Sequence, residues 1–202
     1  MTSNSFTMPA EWAPHVATWL NWPHYTLDWP AKFGPIPWAF SEMGRYISYS
    51  EKLRLIVKNK TYKAQAQKYL EKANANMDNV EFYEIPTNRG WMRDSGPIFV
   101  KNKAGEKAFC NFRFNAWAKY KNHKFDNMVP TEINKHFKLP EIVPMHKGKQ
   151  VVMEGGALDV NGKGTILVTE ECLQSPIQER NPGFTKDDYA EIFGKYLGAP
   201  DV

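Results

Sequence analysis

The segments DSGPIFV (residues 94–100) and EGGALDV (residues 154–160) fall in step at an offset of 60 residues: an acid, a small residue, a glycine, then an apolar strand. Each acid enters a glycine-bearing bend, and each following strand turns back at a glycine, Gly105 or Gly162. A strand–helix–strand segment is predicted ahead of both bends, over residues 53–85 and about 127–153. Self-similarity at this length fits a multi-strand blade or a pseudo-symmetric unit better than a short solenoid repeat.

Outward from these bends, strands and helices alternate. The pattern predicts strands at Val16–Trp22, Leu53–Val57 and Val80–Ile85, with helices after Pro37 to about Ser50 and at Thr61–Asn74. Beyond the loop TNRGWMRDSGP, Ile98–Lys101 and Lys107–Phe112 flank a hairpin turn at Asn102–Gly105. A helix near Met128–Lys138 and a strand near Ile142 follow. Strands are then expected at Val151–Met153, Leu158–Val160 and Ile166–Thr169, and a last helix at about Thr185–Leu197. The class is α/β or α+β with short ββ units.

Composition narrows the functional classes. The 202 residues are 42% apolar and 24% charged, enough to bury a core. One domain over residues 1–202 is the default, with two small ones open. No run nears the roughly 18 apolar residues of a membrane span, and the N-terminus lacks the order of a signal peptide, so a cytoplasmic protein without membrane partners is expected. The net charge of +4 is spread along the chain, which argues against nucleic acid. Two cysteines, Cys110 and Cys172, rule out a disulfide scaffold or a cysteine-built zinc site. The five histidines show no metal-binding spacing and read as turn or surface residues, so no metal is expected. Five of the seven tryptophans fall in the first 38 residues, which leaves open an aromatic module that stacks on sugars or cations. Trp19 and Trp22, three apart on one strand, would face opposite ways, and that weakens a flat platform.

A carboxylate at a strand end, followed by glycine, stands where a ligand can approach the backbone closely. Asp94 and Glu154 both fit. Were their units related by pseudo-symmetry, the two acids would converge on one anionic pocket suited to a guanidinium. Three alternatives stand beside this reading. Asp94 could pair with Arg89 or Arg93 or cap a turn, Glu154 could be a surface acid, or the two could serve a glycosidase. Cys110, in the apolar stretch Ala108-Phe109-Cys110, reads as a buried thiol, and Cys172 has Glu170 and Glu171 beside it to blunt it as a nucleophile.

MPAEWAPHVATWLNWPH (8–24), NRGWMRDSGPIFV (88–100), FNAW (114–117), VMEGGALDVNGKGTILVTEECL (152–173) and ERNPGFTK (179–186) together resemble the agmatine deiminases, the bacterial-type peptidylarginine deiminase family of guanidino-group-modifying enzymes. The resemblance covers nearly the whole chain. It implies a propeller of five pseudo-symmetric ββαβ blades and hydrolysis of agmatine to N-carbamoylputrescine and ammonia, a step of polyamine synthesis, without metal or organic cofactor. It leaves arginine or peptidyl-arginine open as substrates, and homo-oligomerisation open as well. It matches Asp94 to the acid that grips the guanidinium nitrogens and Glu154 to the acid that orients the catalytic histidine. Trp91 matches an aromatic lining the substrate channel. The family's histidine-x-aspartate motif and nucleophilic cysteine have no counterpart in these 202 residues. The expectation is an N-terminal portion of about three blades, holding half of an active site and inactive alone.

Overall fold

The computed structural model describes residues 5–202, which divide into two compact units, residues 14–92 with 124–126, and residues 5–13, 93–123 and 127–202. No helix among the described residues is long and apolar enough to cross a membrane.

The first unit is a parallel sheet with two crossovers. Strands β1 (Ala17–Asn21), β2 (Lys52–Val57) and β3 (Val80–Glu84) lie in the order 1-2-3, with α1 (Ile36–Ser50) and α2 (Lys60–Lys72) as the connections that parallel neighbours require. Pro37 opens α1, where its missing N–H costs nothing, and the Asn59 side chain caps α2 by accepting from the Tyr62 N–H at 3.2 Å. Central β2 buries Leu53, Leu55, Ile56 and Val57, and Trp22, Ala66 and Leu70 complete the core. Arg54 shares β2 with these apolar residues, and its Nε donates to Glu81 of β3 at 2.9 Å. Trp19 lies against Tyr83 with centroids 4.9 Å apart, and Trp22 is buried beside Tyr69. Both rings serve packing rather than an exposed stacking platform.

The second unit is built from small pieces. After the single turn α3 (Met92–Ser95), β4 (Ile98–Lys101) and β5 (Lys107–Cys110) form the expected antiparallel hairpin. Helix α4 (Val129–Phe137) leads to β6 (Glu141–Ile142), which pairs parallel with β5. Two-residue strands follow as hairpins, β7 (Met145–His146) with β8 (Lys149–Gln150), and β9 (Asp159–Val160) with β10 (Ile166–Leu167). Helix α5 (Glu170–Leu173), which the sequence pattern did not predict, precedes α6 (Lys186–Leu197). A capping box between Thr185 and Asp188 starts α6, and Gly198, at φ +66°, stops it in the left-handed conformation glycine tolerates. Its face Tyr189, Ile192, Phe193 and Leu197 closes a core that includes Val100, Cys110, Val151, Met153 and Ile166. No sheet among the described residues closes on itself.

Val151–Met153 departs from the expected strand. Arg113 takes one edge, donating its N–H to the Val151 carbonyl at 2.9 Å and accepting from the Met153 N–H at 3.1 Å. On the other edge a side chain replaces a strand: Asn181 Oδ1 accepts from the Val152 N–H and its Nδ2 donates to the Val152 carbonyl, both at 2.8 Å. The segment is buried and bonded on both edges without a ladder, and apolar patterning alone cannot distinguish that from a strand. Asn181→Ala leaves two buried backbone groups unpaired, and we expect a loss of about 2–4 kcal/mol in urea denaturation at unchanged helix content. A loss below about 1 kcal/mol would show that Val152 finds other partners.

Candidate functional site

Asp94 owes its position to a contact between two backbones. Gly155 and Gly156, in a single 3₁₀ turn, lie directly on Arg93 and Asp94: a Cβ at residue 155 would stand 2.5 Å from the Arg93 carbonyl oxygen, and one at residue 156 would overlap Asp94 Oδ1. Each acid therefore sits at one helical turn that opens an antiparallel hairpin, as the sequence echo implied. The two lie in the same unit.

Glu154 is 2% exposed, which excludes a surface acid. Its Oε1 accepts from Arg180 Nε at 2.7 Å and from the second terminal nitrogen of the same guanidinium at 2.5 Å, and Arg180 also donates to the Gln178 carbonyl at 2.5 Å. Glu154 Oε2 is buried with no hydrogen-bond partner among the described residues. Asp94 is half-buried, and its pKa is pushed up to about 6, first by burial and then by the Glu154 charge, against the pull of a Trp117 hydrogen bond, Arg93 and Arg180. Neither arginine that sequence offered as a partner has its recorded bonds to Asp94: Arg93 donates to Glu11 and to the Leu158 carbonyl, and Arg89 pairs with Asp28.

Trp117 lies in FNAW and Arg180 in ERNPGFTK, and the sequence assigns neither a role. Ala116, Trp117 and Ala118 are all left-handed, at φ +52°, +61° and +56°. Asn115 Oδ1 holds this turn by accepting from the Ala118 N–H at 2.9 Å, an Asx arrangement that was the one legible signal. The indole packs edge-on to Phe114 at 5.3 Å and to Tyr120 at 6.0 Å.

Trp91 belongs to the other unit and is described there. Its Nε1 donates to Asp28 Oδ2 at 2.9 Å, and its ring stacks on Trp29 with centroids 5.2 Å apart and planes at 28°. The loop before it is pinned by buried Asp126, whose Oδ1 accepts from the N–H groups of Asn88 at 2.9 Å and Arg89 at 3.1 Å. His24 is buried, not a surface residue: its Nε2 lies 2.8 Å from Thr87 Oγ1 and 3.2 Å from the Arg89 carbonyl, and burial lowers its pKa to about 4. His146 likewise is largely buried and bonds Asp188 at 2.8 Å. Cys110, buried beneath α6, has its thiol pushed up to about 12, which removes it as a nucleophile.

Asp94, hydrogen-bonded to Trp117, and Glu154, clamped by a guanidinium, lie near enough for the charge of one to weaken the acidity of the other. The chain belongs to the Porphyromonas-type peptidyl-arginine deiminase family, which it matches over residues 7–202. It is 32% identical over 205 residues to the agmatine deiminase of Pseudomonas savastanoi pv. phaseolicola, a match covering 99% of this chain and 52% of that protein. The agmatine deiminase of Pseudomonas syringae pv. syringae is 33% identical over 204 residues, with the same coverage of both chains. Among solved structures, the agmatine deiminase of Enterococcus faecalis superposes with a TM-score of 0.84 at 28% identity, covering 98% of this chain and 52% of that one. A C. jejuni agmatine deiminase with substrate bound gives 0.79 at 26% identity, covering 97% and 54%. The chain thus spans about half the length of the relatives it matches.

Two expectations follow from the site. An acid whose folded pKa lies above its unfolded value keeps an extra proton in the native state between about pH 4 and 6, so the native state loses stability as pH rises through that window. Asp94→Asn removes the titration. The variant should match the parent near pH 4 and exceed it by about 1–2 kcal/mol at pH 7.5 in urea denaturation, allowing for solvent screening. A gap that does not change with pH would contradict this. In the glycine pair, Gly155→Ala must displace backbone and should cost about 1–3 kcal/mol, whereas Gly156→Ala meets a movable carboxylate and should cost less. The reverse ranking would overturn the packing described.

Proposed function

We propose that this chain carries the carboxylate half of the active site of an agmatine deiminase-type hydrolase, acting on the guanidino C–N bond of agmatine to give N-carbamoylputrescine and ammonia. The observation that carries the reading is the buried meeting of Asp94 and Glu154 across the Gly155–Gly156 contact. Asp94 grips the guanidinium nitrogens, and binding a cation favours its ionised form. Glu154, with Oε1 held by Arg180 and Oε2 still open to a donor, orients a histidine supplied by sequence outside these 202 residues. Trp91, held by Asp28 and Trp29, keeps the channel-aromatic role that the family resemblance gives it.

In the reaction proposed, a cysteine thiolate attacks the guanidinium carbon and the histidine protonates the departing ammonia. Water then cleaves the thiouronium intermediate and regenerates the thiol. With Cys110 buried, the 202-residue polypeptide binds the cation without turning it over. The fold reading that goes with this is about three ββαβ blades of a five-bladed propeller, in a cytoplasmic enzyme that uses no metal or organic cofactor.

Calorimetric titration of agmatine into this chain tests the proposal. Below the Asp94 pKa affinity should rise about tenfold per pH unit, levelling above pH 7, and Asp94→Asn should abolish binding. Arginine and an arginyl peptide, titrated alongside, identify the substrate class. Flat pH dependence, or unchanged binding by the variant, would overturn the role of Asp94. Ammonia release lost on Cys110→Ala or Cys172→Ala would overturn the view that the thiolate lies elsewhere.

A further inference from the structure

A cavity of about 350 Å³ lies within the second unit, and its charged lining is entirely cationic: Arg113, Lys149 and Arg180. Pro182 and Phe184 add an apolar wall. Arg113 is anchored at its backbone on both sides, through Val151 and Met153, so its side chain projects from a fixed point although it is itself exposed. Neither Arg113 nor Lys149 has a carboxylate partner among the described residues, in contrast with Arg45, Lys52, Lys135 and Lys147, which each have one. Arg180, by contrast, is held rigidly by Glu154 and the Gln178 carbonyl. Three bonds occupy three of its five N–H groups, leaving donors on its terminal nitrogens.

Like charges gathered around a concave site repel one another, and an anion relieves that repulsion. A guanidinium fork matches the oxygens of a phosphate, and an ammonium adds a compact point charge. The volume stands at the lower end of small-ligand sites, more than a lone phosphate fills. We propose that this cavity binds a small phosphate dianion with more than one group to place, a phosphate ester or pyrophosphate. The phosphate rests on Arg113, Lys149 and the outer N–H groups of Arg180, and the remainder lies against Pro182 and Phe184. The site shares Arg180 with Glu154 but takes a ligand of opposite charge, and its test reads Arg113 and Lys149, which the guanidinium reading does not use.

The test is calorimetric titration of pyrophosphate and of inorganic phosphate into the 202-residue chain at low ionic strength, with Arg113→Gln, Lys149→Gln and, as a remote surface control, Lys103→Gln. One pyrophosphate should bind per chain, more tightly than inorganic phosphate and more weakly as salt is added. Arg113→Gln and Lys149→Gln should each weaken it about tenfold, and Lys103→Gln should leave it unchanged. Arg113→Lys keeps the charge but not the fork and should fall between parent and Arg113→Gln, which separates recognition from loss of folding. Absence of saturable binding, an equal loss in Lys103→Gln, or an unaltered Arg113→Gln would each overturn the proposal.

Discussion

At Gly155 the backbone lies on the Arg93 carbonyl and at Gly156 on the Asp94 carboxylate, and the arrangement of charge around them follows from that contact. It carries Asp94 up against the segment that bears Glu154, into surroundings with little water. Two carboxylates so placed cannot both ionise freely, and the one with weaker counter-charge takes the penalty. Glu154 has a guanidinium on Oε1, whereas Asp94 has an indole N–H and more distant arginines, and it is Asp94 whose acidity is weakened. The inequality gives the pair distinct roles: Glu154 is fixed in place by its guanidinium, and Asp94 is able to gain or lose a proton near pH 6.

A buried ion pair such as Glu154–Arg180 is a poor device for stability alone, since desolvation cancels most of its Coulombic gain. Arg180 instead holds Glu154 in a single orientation, and the Asn181 amide beside it ties Val152 on both sides. Adjacent residues of one loop therefore fix both the acid and the extended segment leading into it. A rigid acid is what orientation of a second catalytic group demands.

The outer elements were legible because they obey local rules. The β2 stretch is an apolar run interrupted only by Arg54 from Leu53 to Val57, α6 carries its stripe and its stop signal, and the β4–β5 turn is written in Asn102 and Gly105. Asp94 and Glu154 were legible for a related reason, because a glycine-bearing bend follows each, and it is the pair after Glu154, Gly155 and Gly156, that makes the close approach. Where bonding runs between distant residues, sequence was silent. Asn181 supplies the Val152 partners from 29 positions away, and Arg180 reaches Glu154 across 26. Such partners leave no periodic mark, so a bonded single segment looked like a strand and a buried arginine looked like part of a loop. The histidines misled in the same way: burial of His24 and His146 depends on residues 63 and 42 positions distant.

The Ala116–Ala118 turn is the clearest case of local preference being overridden. None of its residues favours positive φ, and left-handed backbone costs roughly 1–2 kcal/mol per residue for side chains of this kind. A stretch that served only to connect β5 to α4 could adopt ordinary dihedrals at no such cost. The turn persists because Asn115 caps it and because Phe114 and Tyr120 grip the Trp117 ring from its edges, and the outcome of that conformation is an indole N–H delivered to Asp94. Strain held by packing and ending on a carboxylate whose acidity is weakened fits the binding role proposed for Asp94 better than that of an acid that merely caps a turn.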